Sequence, residues 1–159
     1  MKTNYLVFFI VAAFILNGCT AGVNKDLLSG LKVTNSGLSY EEANVKLADS
    51  KVNSAEFKPG DVIYIEVKGI DGYVEKNGLV NIGASLEVSD PSGKKLMEYA
   101  DLFEQYTETG ISKVDASVIS LHITADSTVL PGVKYTWKSK IWDKNGKGAI
   151  NTELEFVVK

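Results

Sequence analysis

Apolar and polar positions alternate along most of the chain beyond residue 38, and that period predicts strands. Ile82, Ala84, Leu86 and Val88 alternate with Gly83, Ser85, Glu87 and Ser89, the pattern of a strand with one buried face. The run Val62-Ile63-Tyr64-Ile65-Glu66-Val67 is β-branched and aromatic, with Ile63, Ile65 and Val67 on one side. In 117–124, Ile119, Leu121 and Ile123 alternate with Ser120, His122 and Thr124. Segments 39–47 and 95–99 are weaker strand candidates. Turns at Lys58-Pro59-Gly60-Asp61, Asp90-Pro91-Ser92-Gly93 and Leu130-Pro131-Gly132 separate these runs. The last two strands, 133–142 and 149–158, make the best local case. Folding them over 143–148 with Trp142 opposite Ala149 pairs Ile141 with Ile150, Trp137 with Leu154 and Tyr135 with Phe156 on the inner face. The same register sets Lys138 opposite Glu153 on the outer face, so a single pairing serves both faces.

Seven such strands predict an all-β fold, a seven-stranded immunoglobulin-like antiparallel sandwich over residues 38–159. A jelly roll or small barrel is the alternative topology. Tyr99, Leu102, Phe103 and Tyr106 recur at helical spacing, which places a short helical segment near residues 100–106 as a cap over one end. The chain carries a PGD turn after Phe57-Lys58, a DPSG turn at Asp90-Pro91-Ser92-Gly93, and Pro131-Gly132-Val133-Lys134-Tyr135 before the sixth strand. This order is similar to that of macroglobulin-like and other bacterial immunoglobulin-like extracellular domains. The resemblance implies a fold class and no activity; the thioester motif of the larger macroglobulins is absent.

The N-terminus follows a different pattern. After Lys2, Tyr5 to Leu16 is an uncharged apolar run of twelve residues. As a helix it would extend about 18 Å, against a hydrocarbon core of about 30 Å. It is too short to span and suits the core of an export signal, expected over residues 1–18. Leu16-Asn17-Gly18-Cys19 resembles the lipobox of bacterial lipoproteins, with Asn17 departing from the small or aliphatic residue usual there. The resemblance implies cleavage before Cys19, a diacylglyceryl group on its thiol and an acylated new amine, palmitate being a typical chain. Two or three acyl chains anchor a protein stably where one does not. No Asp follows Cys19, which favours the outer membrane of the cell envelope. Residues 19–37 mix Gly, Ser and Asn with scattered apolar positions and are expected to form a flexible lipidated tether, at most about 60 Å long.

Composition narrows the chemistry. The 17 basic and 20 acidic residues leave a mildly acidic chain, which argues against nucleic acid as a partner. Every basic residue is Lys, so the planar fork that grips phosphate at two points is missing. Cys19 is the single cysteine, and the fold must hold by packing alone. His122 is the single histidine and sits mid-strand on a polar face, which supplies neither a Ser-His-Asp set nor a zinc site. The turn from Asp143 to Gly148 resembles the start of a calcium loop. Lys147 at its fifth position and Leu154 at its twelfth stand where oxygen ligands belong, so it is read as a plain turn. No enzyme, cofactor or metal is expected.

Two aromatics stand apart. Trp142 falls on the lysine face at the mouth of the last hairpin, and Tyr73 lies in the loop 69–78. Loops 69–78, 100–115 and 143–148 are expected at one end of the sandwich, making Tyr73 and Trp142 neighbours in a candidate binding surface. The expected function is a lipid-anchored envelope lipoprotein whose non-enzymatic binding or accessory domain acts through a membrane-proximal protein partner. The alternative is a carbohydrate-binding surface lipoprotein that stacks a glycan on Trp142.

Overall fold

In the computed structural model the alternating segments form two packed antiparallel sheets; the structure describes residues 21–159, so the expected signal (1–18) and lipid site (Cys19) lie outside the described residues. In chain order the strands are β1 (Ala21–Lys25), β2 (Lys32–Ser36), β3 (Glu42–Leu47), β4 (Ser50–Lys51), β5 (Glu56–Phe57), β6 (Val62–Lys68), β7 (Leu79–Val80), β8 (Ile82–Ser89), β9 (Lys95–Tyr99), β10 (Ile111–Ser112), β11 (Val118–Thr124), β12 (Lys134–Asp143) and β13 (Ala149–Val158). A 3-10 turn at Glu104–Tyr106 is the short helical segment expected near residues 100–106. A single helical turn, α1 (Lys113–Ala116), is capped by the Ser112 hydroxyl, which accepts from the Asp115 amide.

The larger sheet runs β1-β2-β13-β12-β8-β9, with β5 lying parallel beside the end of β13. The smaller runs β11-β6-β3-β4, and β7 pairs with β10 separately. Both sheets turn their apolar residues inward. Ile63, Ile65, Val67, Val45, Ile119, Leu121 and Ile123 meet Ala84, Leu86, Val88, Trp137, Ile141, Leu154 and Phe156 in a single core. Each large aliphatic side chain removed from water in this way contributes about 1.5–3 kcal/mol. The final hairpin has the register its two-faced pattern predicts: Trp142 opposite Ala149, Ile141 opposite Ile150, Trp137 opposite Leu154, Tyr135 opposite Phe156 and Lys138 opposite Glu153.

The expected tether over 19–37 needs correction. Residues 21–25 and 32–36 are β1 and β2, added to the larger sheet beside β13. Leu31, Val33 and Leu38 are buried and hold this segment on the core. The intervening turn is organised by Asp26, whose carboxylate accepts from the Leu28 amide at 3.0 Å and the Ser29 hydroxyl at 2.8 Å. Ala21 is thereby level with Ser36, Ala149, Trp142 and Gly83 in one row across the sheet. This row lies at the end carrying loop 143–148. The chain finishes at the other end, where the Lys159 amide donates to the Phe57 carbonyl.

Candidate functional site

The three loops expected together are tied together. The Asn81 side chain donates to the Thr107 carbonyl at 2.6 Å, and the Val74 amide to the Asp143 carboxylate at 2.7 Å. Lys144 reaches the Asp101 carboxylate at 2.6 Å and the Thr107 hydroxyl at 2.7 Å. Asp101 also accepts from the amides of Phe103 (2.9 Å) and Ala84 (3.3 Å). Burial alone would raise its pKa. The Lys144 ammonium and the two amides outweigh that and hold the carboxyl below its ordinary value of 3.8.

Tyr73 and Trp142, however, are not brought together. Tyr73 is only 7% exposed, and its hydroxyl donates to the Ala116 carbonyl at 3.3 Å. Burial, with the Asp143 charge adding to it, pushes the phenol well above its ordinary pKa, so it stays protonated. Tyr73 is therefore a core residue that closes the sandwich and not a surface contact. Asp143 turns inward while Trp142, its neighbour along β12, turns outward, as successive strand residues must. The two aromatics thus stand on opposite faces of the larger sheet. Trp142 remains half-buried on the outer face because its indole lies over Gly83 of β8, in the space a Cβ would fill.

The outer face of the larger sheet is organised in rows. Glu98, Glu87, Lys138, Glu153 and Lys32 form a charged row across five strands. Next to it lie Ser85, Lys140, Asn151 and Thr34, and beyond them Gly83, Trp142, Ala149 and Ser36. The middle row is the floor of a polar trough of about 260 Å³, walled by the charged row. Lys140 leans toward Trp142, its Nζ 5.7 Å from the ring centroid.

A second surface is apolar. Strands β9 and β11 are the adjacent open edges of the two sheets, and between them lies a groove of about 670 Å³. Leu86, Met97, Leu102, Phe103, Leu121 and Ile123 line it, with Tyr99 and Tyr106 exposed at its rim. Edge strands ordinarily carry charge, Pro, a bulge or very short length to block further pairing. Here β9 carries Lys95, Glu98 and a register shift, β4 has two residues, and β1 ends in Lys25. Strand β11 is seven residues, Val-Ile-Ser-Leu-His-Ile-Thr, with none of these devices. The bond from the Ala125 amide to the Asp61 carbonyl sets the phase of its ladder. By alternation, Ile119, Leu121 and Ile123 bond to β6, and the backbone groups of Ser120 and His122 face the open edge. Neither surface was legible as a site in the sequence, since each is defined by which strands end up as edges or neighbours.

Among the described residues no group of three His, Cys, Asp or Glu side chains gathers to hold a metal, and no helix is long and apolar enough to cross a membrane. His122 packs against Tyr64, with ring centroids 5.4 Å apart. No protein-family model matches the chain, and a search of curated proteins finds no match.

Proposed function

We propose that the protein is a lipid-anchored lipoprotein of the bacterial cell envelope, held through Cys19 at the outer membrane, whose domain is a non-enzymatic binding or accessory module for a membrane-proximal protein. The reading of the first 19 residues supports the anchor. The packing of β3, β6 and β11 against β8, β9, β12 and β13 supports the immunoglobulin-like assignment.

The observation that carries the partner is the β11 edge. It offers an uncharged row of backbone donors and acceptors beside an apolar groove, and the chemistry that completes both is an extended polypeptide segment with apolar residues at alternate positions. Such a segment adds to β11 as a further strand and buries its apolar side chains against Phe103, Met97 and Leu121. Position in the envelope fits this reading: Ala21 is two residues from Cys19 and lies at the end where loop 100–115 is packed.

Crosslinking in intact cells followed by affinity capture tests it, comparing the native chain with Ser120→Pro. Proline at 120 removes an edge donor and leaves the ladder to β6 intact. The native chain should recover one stoichiometric envelope protein, and Ser120→Pro should lose it while remaining folded. Equal recovery by both would overturn the edge as the binding surface.

A further inference from the structure

The outer face of the larger sheet carries a trough built from residues that take no part in the β11 edge. Its floor is small and polar: Ser85, Asn151 and Thr34 present hydroxyl and amide groups, with Asn151 only loosely bonded to Thr34 at 3.4 Å. Short polar side chains in a shallow trough suit a ligand dense in hydroxyl groups, since each can donate or accept without reorganising the sheet. Trp142 does not line the trough but stands one row away on the same face, about 6.7 Å along β12 from Lys140. Gly83 beneath it keeps the indole seated on the sheet, and an indole held this way offers an apolar surface to the C–H face of a sugar ring.

Charge decides what kind of sugar. Of the acidic groups in the trough, Glu87 is engaged by Lys95 at 2.8 Å and Glu153 by Lys32 at 3.9 Å, and Lys138 stands between the two. Lys140 has no carboxylate opposite it: its cross-strand neighbours are Ser85 and Asn151. Among the described residues Lys140 forms no ion pair, and its ammonium rests near the Trp142 ring. Lys138 also forms no ion pair among the described residues but has Glu87 and Glu153 directly across from it; Lys140 is the trough cation with no carboxylate directly across, beside the aromatic and over the polar floor.

We propose that this trough, together with Trp142 in the adjacent row, binds a saccharide bearing a carboxylate, a hexuronate-containing chain. One ring lies against Trp142, Lys140 pairs with the carboxylate, and Ser85, Asn151 and Thr34 take the hydroxyl groups of the next ring. Because Trp142 is level with Ala21, an anchor at Cys19 would hold the saccharide near the membrane surface.

Titration calorimetry of the full-length chain in detergent tests this. The probes are tetrasaccharides of galacturonate, of alginate and of heparosan, each beside its carboxyl-reduced counterpart. At least one acidic probe should bind, and more tightly than its reduced form. Lys140→Gln should cost about tenfold in affinity for the acidic form and erase its advantage over the reduced one. Trp142→Ala should weaken both forms. Lys140→Gln alters only an exposed side chain, so it decides the matter where Trp142→Ala fails to fold. No binding by any probe, or an acid preference that survives Lys140→Gln, overturns the proposal. Ser120→Pro should leave saccharide binding unchanged, so loss of the protein partner and loss of the saccharide are separate outcomes.

Discussion

The Trp142 indole occupies the position that a side chain on Gly83 would need, so a tryptophan of β12 is seated on the backbone of β8. This cross-strand contact explains why an aromatic on the outer face is half-buried. Gly83→Ala should therefore act on Trp142 first. Displacing the indole or straining the sheet is expected to cost about 1–3 kcal/mol. Denaturant titration measures the loss. Fluorescence reports the displacement, since Trp137, the other tryptophan, is fully buried and should not respond. Unchanged stability and emission would contradict this contact.

The Asp101–Lys144 pair is the most enclosed ion pair joining two of the end loops, with both side chains under one-fifth exposed. Lys144→Met should leave Asp101 charged and short of its strongest partner, at a cost of about 1–3 kcal/mol near neutral pH. The folded-state pKa of Asp101 lies below its ordinary value of 3.8. Its stabilising contribution is thus fully present above that value and is lost as pH falls through the depressed one. The penalty of Lys144→Met should accordingly shrink below pH 3.8. A penalty independent of pH would show that the pair contributes little.

Ser139 and Thr152 face one another across β12 and β13 on the inner side of the sheet, and both hydroxyls are buried without a hydrogen-bond partner among the described residues. Thr152→Val replaces one such hydroxyl by a methyl group of similar shape. The variant should be more stable by about 1 kcal/mol, seen as a higher denaturation midpoint at unchanged slope.

How much of this was legible in the sequence depends on the scale of the contacts involved. Strands whose apolar residues alternate, and the 133–158 hairpin whose inner and outer faces agree on one register, were readable because both signals are local. Strands β1 and β2 were not. Their Gly, Ser and Asn content resembles a linker, and only Leu31, Val33 and Leu38 betray a buried side, through contacts with strands far away in sequence. Trp142 was readable as an outward aromatic from strand parity alone. The burial of Tyr73 is not readable, because a loop has no parity. Its burial comes from α1, whose Ala116 carbonyl receives the phenol, and no local pattern announces that. The open β11 edge and the trough depend on strand order, which alternation does not encode.

The proposed lipid anchor at Cys19 is open to a separate test. Cys19→Ser should abolish acylation and leave the export signal uncleaved, both read from the mass of the intact chain. The order of β1 in the sheet adds a geometric expectation: Cys19 and Ala21 are separated by at most about 7 Å of chain. Inserting a long Gly-Ser spacer between Thr20 and Ala21 should therefore weaken partner capture while leaving acylation intact. Full capture with the spacer would remove membrane proximity from the account.

Photo-crosslinking in living cells asks whether a protein partner adds to the β11 edge near the membrane. A photoreactive side chain at position 122 stands on the exposed outer face of β11 beside its open edge, next to Tyr64, whereas one at position 159 follows the end of β13 in the other sheet. One discrete adduct is expected from position 122 and none from position 159. An adduct from position 159 alone, or none from either, would contradict addition at this edge.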